Sequence, residues 1–152
     1  MVKCPTVLLL IIHYSGHLYG ECFTSNAPPI DFLNCWLLHH GLPKDIPNKY
    51  VHMDPSSDLG GCHAIVDLSE NAGYVVEPTA LNSLYQNGPC ECPHQTIGNA
   101  LHAILGSADL PACFWPYAFH HFLYLYNVTP HGDHSASPYE IKTGKKPDLH
   151  HL

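Results

Sequence analysis

A chain of 152 residues with 45% hydrophobic and 12% charged residues can bury one modest core, and its surface is poor in charge against a usual share of about a quarter. Six Lys, no Arg and 13 acids leave a formal charge of −7, which argues against strong nonspecific DNA binding because duplex affinity comes largely from cations that neutralise phosphates. Seven Cys is an odd number, so a complete set of disulfides within one chain is excluded, and the unrepeated spacings favour reduced thiols.

The apolar run 6–12, after Lys3, imitates a short signal-peptide core, yet no small-residue cleavage site follows it. It is far below the roughly 20 residues a bilayer requires, and a buried strand produces the same pattern. Strands are therefore expected over 7–13 and 17–23, joined by a turn at Ser15-Gly16, with no membrane segment and no secretion. Asn127-Val128-Thr129 has the form of a glycosylation sequon, which matters only in a secreted chain.

Pro28-Pro29 opens a helix whose Ile30, Leu33, Leu37 and Leu38 recur at helical spacing, and Gly41 with Pro43 ends it. A short strand over 50–53, a helix over 62–71 closed by Gly73, and a strand over 74–77 stopped by Pro78 come next. Asn87-Gly88-Pro89 marks 79–89 as a loop. Ile97, Ala100, Leu101, Ile104 and Leu105 give the following helix one apolar face. The helix expected over 113–126 is aromatic; such a band could stack on bases, but helical spacing favours core packing. From Thr129 onward the chain is rich in turn residues and is expected to cover the surface. The alternation of strands and helices indicates an α/β domain, without internal repeats.

Two segments carry candidate chemistry. KYVHMD, 49–54, ends a strand-like run on Asp54, and QNGPCECPHQTIGNAL, 86–101, opens a helix-like run on Glu91, with 36 residues between the two acids. Taken alone, Asp54 reads as a strand-end acid and Glu91 as an acid favoured by a helix N-terminus. Cys90-x-Cys92-x-His94 invites a zinc reading, but paired Cys ligands are usually two to four residues apart and no matching pair follows. The His pairs at 39–40, 120–121 and 150–151 read as surface residues.

Together with LLLIIHYSGHLYGECF (8–23), PPIDFLNCWLLHHG (28–41), KYVHMDPSSDLGG (49–61) and ASPYEIKTGKKPDLHHL (136–152), these segments resemble the integrase catalytic core of copia-type retrotransposons. The resemblance implies a ribonuclease H-like mixed sheet flanked by helices, lacking the first strand, with a partial core over 1–135 and a C-terminal extension over 136–152. It implies that Asp54 and Glu91 are the catalytic and metal-ligating positions, Asp58 being a nearby acid, for Mg²⁺-dependent DNA strand transfer. Partners by resemblance are DNA and further copies of the chain, in the nucleus or cytoplasm.

Activity is not expected. The family places its first catalytic Asp on a strand before the 8–23 hairpin, and no Asp or Glu precedes Leu8. Cys90 and Cys92 stand where Gly or Ser and Arg are usual. His17, His52, Cys92 and His102 also occupy positions where the family commonly has Arg. One C-to-T change in a CG-type Arg codon yields Cys or His, so a decayed element is expected. The alternatives are a noncatalytic, host-retained nucleic-acid- or protein-binding module, and a small secreted protein.

Overall fold

The computed structural model describes residues 6–25, 27–41, 47, 49–53, 62–78, 84–132 and 134–150, with the backbone alone for Pro78 and 84–93. In chain order the elements are β1 (Thr6–Ile12), β2 (His17–Phe23), α1 (Ile30–His40), β3 (Tyr50–Met53), α2 (His63–Asn71), β4 (Val75–Pro78), α3 (Leu84–Ser107), a 3-10 turn (Ala112–Phe114), α4 (Trp115–Val128) and α5 (Pro138–Thr143). They form two compact units, Met1–Ser25 with Cys90–Leu152, and Asn26–Pro89.

In the first unit, an uncharged apolar strand turns back on itself through Gly16, whose φ of 68° is costly for a residue with a Cβ. The Ser15 and Gly16 amides both donate to the Ile12 carbonyl, at 3.2 and 2.8 Å. The strands pair antiparallel with Val7 opposite Cys22, Leu9 opposite Gly20 and Ile11 opposite Leu18. Period-two alternation puts these six residues on one face. That face meets α4, where Phe119 and Leu123 are buried together with Leu18 and with Ile97 of α3. Phe119 is 1% exposed, so its ring sits at the centre of the cluster.

The aromatic helix thus packs as core over most of its length. Tyr117 and Phe114 are the departures, 74% and 42% exposed. The turn-rich C-terminal stretch also differs from expectation, because it contains α5. Ser137, 2% exposed, accepts a hydrogen bond from the Glu140 amide at 3.2 Å, Pro138 occupies the first turn, and Gly144 closes the helix at φ 69°. These are standard start and stop signals in a very short span.

In the second unit, β3 and β4 pair in parallel, Tyr50 opposite Val75 and Met53 opposite Pro78, with α2 as the crossover helix. Ile65 and Ser69, one turn apart on α2, are both buried, and the Ser69 hydroxyl donates to the Ile65 carbonyl at 2.9 Å. α1 buries Leu33, while Ile30 and Leu38 are exposed, so only part of its apolar spacing reports a buried stripe. Pro78 is the last residue of β4, where a strand stop was expected at that position.

The segment 79–89 is not a loop throughout. α3 begins at Leu84 and carries helix through Asn87-Gly88-Pro89. Turn propensity is a local preference, whereas a helix gains one bond per residue as it extends from its periodic portion. Residues 79–83 lie outside the described residues.

Candidate functional site

The start of β3 is built around a buried lysine. Lys49, 3% exposed, donates from Nζ to the Ala72 carbonyl at the end of α2 (3.0 Å) and stands 4.6 Å from the Tyr74 ring centroid. A cation there answers the negative end of the helix and the face of the ring. The Lys49 carbonyl accepts from the Val75 amide at 2.7 Å, so one residue fixes both the start of β3 and its pairing with β4. Further along the ladder, His52 Nδ1 lies 3.6 Å from Glu77 Oε2, with both side chains about half exposed. An ion pair that exposed contributes little.

Met53 is the last residue of β3, and Asp54, next in sequence, lies outside the described residues, as does Asp58. Glu91 lies within α3, and its backbone alone is described. It is the eighth residue of that helix, two turns from the start, which overturns its reading as an acid favoured by the helix N-terminus: the dipole acts within the first turn. The helix simply starts earlier than its turn residues suggest. Cys90 and Cys92 share the part of α3 whose side chains are not described, and His94 beyond them is exposed. Among the described residues no group of three or more His, Cys, Asp or Glu could hold a metal ion. In kind, the carboxylates of Asp54 and Glu91 suit Mg²⁺, a hard cation that takes oxygen ligands.

No protein-family model and no curated protein matches the sequence. Solved structures do. The catalytic core domain of BIV integrase aligns over 92% of this chain and 86% of its own, with a TM-score of 0.64 and 18% identity. A chain of the simian T-cell lymphotropic virus intasome, solved in complex with a PP2A regulatory subunit, aligns over 95% of this chain with a TM-score of 0.71 and 13% identity. The fold is that of an integrase catalytic core. This integrase-like chain spans 50% of the intasome chain it matches. The ribonuclease H-like α/β class expected from the sequence is thereby established.

Three positions have structural roles that the sequence reading did not give them. Gly20 on β2 lies directly under Phe119: a Cβ there would come 2.5 Å from Phe119 Cζ and 2.8 Å from Cε1. A glycine in the middle of a strand was the available signal, since it marks close approach of another element. Asn127 on α4 donates from Nδ2 to the Leu18 carbonyl and accepts at Oδ1 from the Leu18 amide, both at 2.8 Å. Its carboxamide makes with Leu18 the pair of bonds that a neighbouring strand would make. The nitrogen that glycosylation would modify is therefore committed to the fold. The third is Lys49, for which the sequence offers no signal beyond the rarity of Lys in this chain.

Among the described residues Cys22, Cys35, Cys62 and Cys113 are free thiols. Burial, and after it the neighbouring Glu21 carboxylate, pushes the Cys22 thiol above its ordinary value. The His pairs lie on the surface where described: His39, His40, His120, His121 and His150 are exposed, and His120 Nε2 stands 3.3 Å from Glu21 Oε1. No helix among the described residues is long and apolar enough to cross a membrane, and the apolar run near the N-terminus is β1.

Proposed function

We propose that this chain is a retroelement integrase-like domain, related to DNA integration, that does not itself join DNA. The observation that carries the reading is an integrase-core fold in a chain whose sequence puts Asp54 directly after β3 and Glu91 within α3. By the copia-type resemblance, these carboxylates are the catalytic positions and would hold Mg²⁺, with DNA and further copies of the chain as partners. Bound metal supplies charge neutralisation and oxygen activation in phosphoryl transfer, a task that uses several converging carboxylates. Within these 152 residues two stand where the resemblance calls for three. Cys90 and Cys92 beside Glu91, the absence of Arg and the charge of −7 each weaken the hold on a DNA end. In this reading 1–135 is the partial core, 136–152 its extension, and the location nuclear or cytoplasmic.

The purified chain, given duplex DNA with an element-type end and Mg²⁺, is expected to yield no joined product. A Mg²⁺-dependent product, lost in Asp54→Asn and Glu91→Gln, would overturn the inactivity and uphold the site. Sequencing the flanking DNA tests the origin: an adjoining in-frame reverse transcriptase supports it, and unrelated host exons count against it. A second reading, a noncatalytic binding module, is favoured by Phe114 and Tyr117, whose exposed rings lie 6.0 Å apart. A reading frame maintained in host transcripts without retroelement neighbours would favour it over the first.

A further inference from the structure

Charge is unevenly distributed along this chain. Residues 141–152 contain three of the six Lys and one of the 13 acids, so they are net +2 in a chain of −7, and everything before them is net −9. The three lysines, Lys142, Lys145 and Lys146, fall within five residues at the end of α5, and no acid occurs from Ile141 to Pro147.

The segment is a built turn. The Gly144 amide donates to the Glu140 carbonyl at 2.8 Å, and the left-handed conformation of Gly144 reverses the chain. Thr143 then locks the reversal, its Oγ1 donating to the Tyr139 carbonyl at 2.8 Å and accepting from the Lys145 amide at 3.2 Å. Lys142 is half-buried with Nζ 4.5 Å from the Tyr19 ring centroid, which ties the turn to β2. Lys145 and Lys146 are exposed, and among the described residues no carboxylate lies within ion-pair distance of any of the three. Desolvation lowers the Lys142 pKa, a penalty that an approaching anion would relieve.

We infer that the lysine turn Lys142–Lys146 is a contact surface for the phosphate backbone of duplex DNA. The inference rests on the integrase-like reading for the choice of DNA, and on the turn for the place. Three cations on a fixed turn match a polyanion with one charge per roughly 1.7 Å of axis. The remainder of the chain, net −9, repels the same polymer, so contact concentrates here. A plainer role is available, since Lys near a helix C-terminus complements its dipole. That role leaves no trace in the salt dependence of DNA binding.

The test is fluorescence anisotropy of a labelled duplex with the intact chain in EDTA, so that the carboxylate site is silent, with salt varied from about 50 to 200 mM. Three neutralised phosphates give a log–log slope of about −2.7, equivalent to an affinity loss of about 40-fold across that range. Lys145→Gln with Lys146→Gln, which leaves the Lys142–Tyr19 contact in place, should reduce the slope magnitude by about 2. Adding Lys142→Gln should abolish the rest, with circular dichroism confirming that each variant is folded. An unchanged slope in the folded double variant overturns the inference, as does a wild-type chain that fails to bind duplex or prefers anionic vesicles. Failure of the integrase-like reading shows elsewhere, in the flanking DNA, and leaves the lysine slope as measured.

Discussion

Gly20 and Phe119 together decide how near α4 can lie to the β1–β2 hairpin. A Cβ on Gly20 would stand only 2.5 Å from Cζ of a ring that is 1% exposed, so Gly20→Ala must shift the strand or the ring. Overpacking of this kind costs about 1–3 kcal/mol, and Phe119→Ala, which opens a cavity, about 3–5 kcal/mol. Because the two residues touch, Gly20→Ala with Phe119→Leu should cost less than the sum of the single changes in urea unfolding. Strict additivity would show that the approach does not constrain the core. Asn127→Ala removes both bonds to Leu18 and is expected to lose about 1–3 kcal/mol. Asn127→Asp should be no milder, since a carboxylate oxygen then faces the Leu18 carbonyl; a neutral Asp variant would refute the edge-capping role. Cys22 adds a pH dependence. Its folded thiol holds the proton more tightly than the unfolded one, so its contribution is complete below the unfolded value and is lost as pH rises through the folded value. Urea midpoints should therefore decline above about pH 8.5 and decline less in Cys22→Ala. Equal declines would remove Cys22 as the cause.

At the scale of elements, local signals succeed where they are redundant. The hairpin has an uncharged apolar strand, a left-handed glycine and a second strand of matching length, and it forms within one residue of the expected spans. α2 and β3 likewise follow their apolar spacing. The N-terminus of α3 fails because Asn-Gly-Pro is a strong local signal opposed by a helix already propagating from residues further along. α5 was hidden by its length: six residues hold too few apolar positions to show a period, although Ser137, Pro138 and Gly144 spell its boundaries. Ser137→Ala should destabilise the first unit by about 1 kcal/mol through the lost cap. Gly144→Ala should cost about as much, because its φ of 69° is unfavourable for an L residue. Hydrogen exchange at Ile141 and Gly144, whose amides close the helix, is the direct readout: faster exchange in both variants is expected, and unchanged exchange would deny the caps their role.

For the whole molecule, net charge and composition govern behaviour in solution more than they govern fold. The charge of −7 at pH 7 falls to zero near the pI of 6.0, and the chain has only 12% charged residues to keep copies apart. Light scattering should show association rising as pH is lowered from about 7.5 to 6, and receding at higher pH. Scattering that is flat across this range would place the control elsewhere, for example in the exposed Phe114 and Tyr117 rings. What the residues settled unaided is the α/β class and the order of elements up to β4, and the resemblance that points to Asp54 and Glu91 is read from motif alone. All of these are written in neighbouring residues, as period, punctuation or motif. What only the tertiary structure decided is which apolar residues are buried, that Gly20 makes room for the tip of the Phe119 ring, that Asn127 bonds to β2 from 109 residues away, and that Lys49 is buried at the end of α2. Those depend on contacts between residues distant in sequence, and no local pattern encodes a distance that the chain acquires only when its elements pack.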